Sequence, residues 1–139
     1  MHEAALVDLA ERVTRPDLGA DADLPGLCRK LAQCLVAQRA DGQPVYPIGG
    51  VRVRSFAADA WCIADGAPDA AYLHASLKVG AGRGPETLRT TGDAVFEVIK
   101  SHFAALYACS GLALSLDLEE FGEAGTWKHN NLHARYRKA

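Results

Sequence analysis

Apolar positions fall at two different spacings along the chain. In "DLPGLCRKLAQCLVAQR", Leu24, Leu27, Leu31 and Leu35 recur three to four residues apart, with Arg29, Lys30 and Gln33 between them. That spacing predicts a helix with one buried face, running to about Arg39. Asp23 is placed to cap it, and Pro25 sits in the first turn, where its missing N–H costs nothing. A second helix is expected from Pro85 or Glu86 until just short of Gly111, with Leu88, Val95, Phe96, Ile99, Phe103 and Leu106 as its apolar stripe. Alternation marks the strands. Across Gly50–Ala57, Val51, Val53 and Ser55 face one way, and Arg52, Arg54 and Phe56 the other. Across Ala70–Gly80, Leu73, Ala75, Leu77 and Val79 oppose Tyr72, His74, Ser76 and Lys78. In "LALSLDLEEF", Leu112, Leu114, Leu116 and Leu118 share one face. The opening "HEAALVDLAERV" alternates weakly and reads as a strand or a short helix.

Between these elements, Thr14–Asp23, Ala40–Gly50 and Ala64–Asp69 are rich in Gly, Pro and Asp and read as loops and turns. The tail "WKHNNLHARYRKA" is polar and basic, with no clear period. The element order is therefore β-α-β-β-α-β. It predicts a single α/β domain over residues 1–139: an α+β sandwich in which both helices lie on one face of an open sheet. The other face, carrying Ser, Lys, His and Arg, meets solvent or other subunits.

Composition narrows the function classes. The chain has 139 residues, 49% of them hydrophobic and 23% charged, with a formal charge of −2. Bulk attraction to nucleic acid or to an anionic membrane is not expected, so any basic site is local. No apolar run is long enough for a membrane span, and the amino terminus lacks the basic start and apolar centre of a signal peptide, so the expected location is the cytoplasm. The cysteines at 28, 34, 62 and 109 form no CxxC pair and read as reduced, mostly buried thiols. The five histidines, His2, His74, His102, His129 and His133, are scattered and read as surface residues, and no metal site is expected.

The candidate chemistry centres on arginines. "VGAGRG" places Gly80, Gly82 and Gly84 before a helix. It lacks the third glycine of a dinucleotide loop and the Gly-Lys-Ser/Thr of a Walker loop. A tight turn is one reading. Another is a carboxylate site made by N–H groups at the helix start with Arg83 beside them. Arg52 and Arg54, two apart on a strand, share a face. They read as solvated charges or, with Arg83, as a pocket for a dicarboxylate.

Seven pieces in order, "DLPGL", "YPIGGVRVR", "WCIADGAPD", "LHASLKVGAGR", "VIKSHFAAL", "LALSLDLEE" and "KHNNLHA", closely resemble 5-carboxymethyl-2-hydroxymuconate isomerases, a branch of the tautomerase superfamily. The resemblance runs from about Asp23 to Ala134. It implies a homotrimer whose packed sheets cover the polar face. It also implies a cofactor-independent proton shift along an unsaturated dicarboxylic acid in aromatic degradation. In that superfamily an amino-terminal proline is the base and arginines hold the carboxylates. The matching arginines here are Arg52, Arg54 and Arg83, with Arg52 and Arg83 foremost. Where the proline is expected after Met1, this chain has His2. The Met1 amine and the His2 imidazole, with ordinary pKa values of about 7.7–8.0 and about 6.5, are the substitutes that position offers. Three readings stay open: an isomerase with an altered base, a diacid-binding trimer without catalysis, and a different proton-transfer or addition reaction on an unsaturated acid.

Overall fold

The computed structural model of the chain describes residues 10–13, 22–66 and 68–137. Strand β1 covers Ala10–Val13, the end of the opening stretch; the part before it lies outside the described residues. Helix α1 spans Leu24–Val36 and buries Gly26, Leu27, Leu31 and Leu35, the stripe expected from spacing. The "DLPG" start has a physical explanation. Asp23 sits in the left-handed region at φ 44°, and its Oδ1 accepts from the Gly26 N–H at 3.1 Å. A Cβ at position 26 would collide with that carboxylate, so the cap and the glycine require each other. The helix stops three residues before Arg39, whose Nη1 donates to the carbonyls of Val36 at 2.8 Å and Gln38 at 3.1 Å.

The loop that follows is more ordered than its composition suggests. β2 (Arg39–Ala40) and β3 (Gln43–Pro44) form a small antiparallel hairpin around Asp41 and Gly42, both at positive φ. A 3₁₀ turn covers Ile48–Gly50. β4 is Arg54–Ala57, shorter than the expected Gly50–Ala57. β5 (Ala70–Gly80) and β6 (Gly111–Phe121) run parallel through eleven paired positions, and β4 runs parallel to β1 with Arg54 opposite Ala10. β1 lies beside β5, which brings the two parallel pairs together in the order β4-β1-β5-β6. Four strands and two principal helices in β-α-β-β-α-β order are the architecture expected from the pattern.

Helix α2 spans Pro85–His102. The expected single helix to Gly111 breaks at Phe103, and a separate α3 covers Ala104–Cys109. The buried face of α2 is Thr91, Val95 and Ile99, followed by Phe103. These meet Leu27, Leu31 and Leu35 of α1 and Leu73, Ala75, Leu77 and Val79 of β5 in one core. β5 alternates buried and half-buried residues with almost no exception, as its sequence does. The helices are pinned at one end by His102. Its Nε2 donates to the Ala22 carbonyl at 2.6 Å, so its Nδ1 accepts from Lys30 Nζ at 3.0 Å. His102 is thus a bridge between helices and departs from the surface reading.

Two further expectations change. Cys28 and Cys34 are partly buried, but Cys62 and Cys109 are exposed, so the thiols are not mostly buried. Burial pushes the Cys34 thiol above its ordinary value, only partly offset by its hydrogen bond with Gln38, so it is a poor nucleophile. The tail also has structure. Leu132–Arg135 form a short helix, α4, that packs on the 3₁₀ turn.

Candidate functional site

The turn after β5 positions Arg83. Gly82 and Gly84 lie at φ 109° and 83°, where side chains are strained, so the turn needs its glycines. Gly84 then leads into α2, with Pro85 in the first turn. This geometry brings the Arg83 guanidinium back across the end of its own strand. Nη1 donates to the Gly80 carbonyl at 2.6 Å, and Nε donates to the Val45 carbonyl at 3.1 Å. Its Cζ lies 4.9 Å from the centre of the Tyr46 ring.

Tyr46 is fully buried, and its Oη shares a 2.8 Å hydrogen bond with Oγ1 of Thr91, the one buried polar side chain among the described residues. Each of these groups finds a partner, which makes their burial tolerable. Burial raises the Tyr46 phenol above the ordinary tyrosine value, opposed by the bond to Thr91 and by the Arg83 charge. Burial also lowers Arg83 below the usual arginine range, while Tyr46 and Glu120 act in the other direction. Arg83 remains cationic at neutral pH. Two of its N–H groups serve the backbone, and Nη2 and the second Nη1 hydrogen have no acceptor among the contacts described.

Arg52 and Arg54 stand in a different setting. Both are exposed, on the side of the chain opposite the half-buried Val51, Val53 and Ser55, as the alternation required. Arg54 lies over Phe56, with Cζ 5.1 Å from the ring centre. The structure therefore brings Arg83 together with Tyr46 and Thr91, and it leaves Arg52 and Arg54 on β4 and its approach. Met1 and His2 lie outside the described residues.

Sequence reasoning missed two features of this region. Tyr46 sits in a loop between two prolines, where no period marks a residue as buried; only the local "PVYP" crowding of apolar residues hinted at it. The tail is the other. Asn130 Nδ2 donates to the Gly49 carbonyl at 3.0 Å, and Asn130 Oδ1 accepts from the Leu132 N–H at 2.7 Å. A Cβ on Gly49 would come within 2.8 Å of the His133 backbone. "KHNNLHA" is thus the segment that seats α4 on Gly49, and His133 is part of a cleft, not a plain surface histidine. That cleft has a volume of ~610 Å³ and lies between the β2–β3 hairpin, Tyr46 and the tail.

Known proteins share this fold. A family model described as 5-carboxymethyl-2-hydroxymuconate isomerase matches residues 14–136. The chain is 42% identical over 117 residues to the 5-carboxymethyl-2-hydroxymuconate Delta-isomerase of Escherichia coli, covering 84% of this chain and 89% of the relative. A crystal structure of a 5-carboxymethyl-2-hydroxymuconate isomerase from Deinococcus radiodurans R1 superposes with a TM-score of 0.87 at 42% identity, covering 99% of this chain and 98% of that one. A further crystal structure, of a 5-carboxymethyl-2-hydroxymuconate delta-isomerase, gives a TM-score of 0.88 at 26% identity, covering 99% and 97%. With the fold and most of its length matched in this way, the chain belongs to the 5-carboxymethyl-2-hydroxymuconate isomerase family.

Proposed function

We propose that this protein is a cofactor-independent isomerase that moves a proton along the conjugated chain of an unsaturated dicarboxylic acid in aromatic degradation. Its substrate is 5-carboxymethyl-2-hydroxymuconate, the acid named in its family and in its Escherichia coli relative. The observation that carries the reading is Arg83: a half-buried guanidinium, fixed by two backbone carbonyls and a tyrosine face, with N–H groups left over. A cation held this way is already oriented when a carboxylate arrives, so little entropy is lost on binding.

The reaction needs a base that takes a proton from one end of the conjugated system and returns it at the other. It also needs cations for the carboxylates and for the charge that spreads over the dienolate between the two transfers. Arg83 and Arg52 hold the two carboxylates, and Arg54 adds to the local positive field. The base is the amine of Met1 or the imidazole of His2, whose ordinary values fall close to neutral pH. The protein works as a homotrimer in the cytoplasm. The half-buried row Tyr72, His74 and Ser76 on the helix-free face of β5 supports that assembly, because neighbouring sheets would cover it.

The test is an ultraviolet assay of 2-hydroxymuconate ketonisation, with Arg83→Ala as the matched control. Turnover that disappears in the variant supports the proposal. No turnover in the wild-type chain, with the acid still bound, overturns the isomerase and leaves a carboxylate-binding protein.

A further inference from the structure

The cleft between the hairpin and the tail is a site that the proton-transfer reading does not use. Arg39, on β2, reaches it from the end of α1, with Nη1 tied to two carbonyls and the rest of the guanidinium uncommitted to them. His133 enters from α4, at a depth that Gly49 alone permits. Arg137 follows four residues later, beyond the end of α4. Among the described residues no carboxylate lines the cleft, although Asp and Glu together number 17 in the chain. The nearest acid in sequence to Arg39, Asp41, sits at the hairpin tip and is not part of the wall. The rest of the lining is largely apolar, with Val36, Pro44 and Tyr136 among it.

We propose that this cleft binds a small organic carboxylate with an apolar body through Arg39, His133 and Arg137, at a site that borders Val45 and Tyr46 but does not include Arg83. The volume, ~610 Å³, falls within the roughly 300–1,000 Å³ of small-molecule sites. Arginines and a histidine in a concave wall without acids concentrate anions, and the arginine fork favours a planar carboxylate. The apolar remainder selects against inorganic anions, which gain nothing from Val36 or Pro44. This inference goes beyond the proposed reaction and does not depend on it, because Arg39, Arg137 and His133 have no part in the proton-transfer machinery.

The experiment is isothermal titration of the full-length protein, as purified, with 4-phenylbutyrate, with its neutral amide and with inorganic phosphate. The acid binds, the amide binds about tenfold more weakly or less, and phosphate gives no heat. Arg39→Gln and Arg137→Gln each weaken the acid by about tenfold. Arg137 makes no described contact that folding depends on, so its variant guards against a loss due to misfolding. Saturating 2-hydroxymuconate leaves the affinity unchanged. Overturning results are an acid that does not bind, an amide that binds as well, phosphate binding of equal strength, or displacement by 2-hydroxymuconate. The last would make the cleft an arm of the reaction pocket and end the claim of a separate site. A failed turnover assay would leave all of these outcomes readable.

Discussion

Arg83 and the Arg52–Arg54 pair are the same chemical group in opposite settings. Arg83 is half-buried, leaning on a fully buried tyrosine and bonded to two carbonyls, one at the end of β5 and one in the loop after β3. Arg52 and Arg54 are exposed, one just ahead of and one at the start of a four-residue strand that pairs only with β1 among the described residues. The first is oriented by the chain that carries it. The second pair faces water, so at Arg52 in particular side-chain entropy is still to be lost when a ligand binds. The difference teaches that a single chain can orient one arginine in finished form while leaving others to solvent. On the proposed reading, Arg83 is the ready end of a diacid site, and the other end tightens when ligand or a neighbouring copy restricts it.

The comparison can be broken in order of effect. Arg83→Ala should be the most damaging, because it removes structure and ligand contact together. We expect a loss of about 1.5–3 kcal/mol in dicarboxylate binding and a visibly lower Tm, read by titration and by thermal melting. Arg83→Lys should restore little, since an ammonium cannot reproduce two fixed bonds and a stacked plane. Tyr46→Phe comes next. It leaves Thr91 without its partner and should cost about 1–2 kcal/mol in urea unfolding, with the ring still supporting Arg83. Arg52→Ala should weaken the diacid while changing stability by less than about 0.5 kcal/mol, the signature of a group that supports ligand and not fold. If Arg52→Ala lowers stability as much as Arg83→Ala, the contrast between the two ends is wrong.

A pH experiment gives the smallest effect. Burial raises Tyr46, so the folded chain holds the phenol proton more firmly than the unfolded one. The stability this gives is complete below the ordinary tyrosine value of about 10 and is lost as pH rises through the higher folded value. Alkaline melting curves should therefore fall less steeply in Tyr46→Phe than in the wild type.

Legibility in the sequence followed how local each feature is. The α1 stripe, the Asp23 cap and the alternation of β5 were readable because each depends on neighbours a few residues away. The arginine faces on either side of Val53 were readable for the same reason. The break at Phe103 was not, because nothing in "SHFAALYAC" interrupts the helical period; Phe103 leaves it with φ −100° and its ring in the core. Tyr46 and α4 were invisible for a stronger reason. Their positions depend on partners 45 and 81 residues away, Thr91 for the tyrosine and Gly49 for Asn130. Glycine at 49 looked like a loop residue, and only the tail lying against it shows why a side chain is excluded there.

The bond from Asn130 to Gly49 has a practical consequence for anyone handling the protein. An exopeptidase working inward from the carboxyl end would take α4 before it reached Asn130, and would strip the cover from Gly49 as it did so. Passing Asn130 would then free the turn at Ile48–Gly50, two residues ahead of Arg52. Ageing of a preparation should show as a step in thermal melting and not a gradual decline, with mass spectrometry placing the step between α4 and that asparagine.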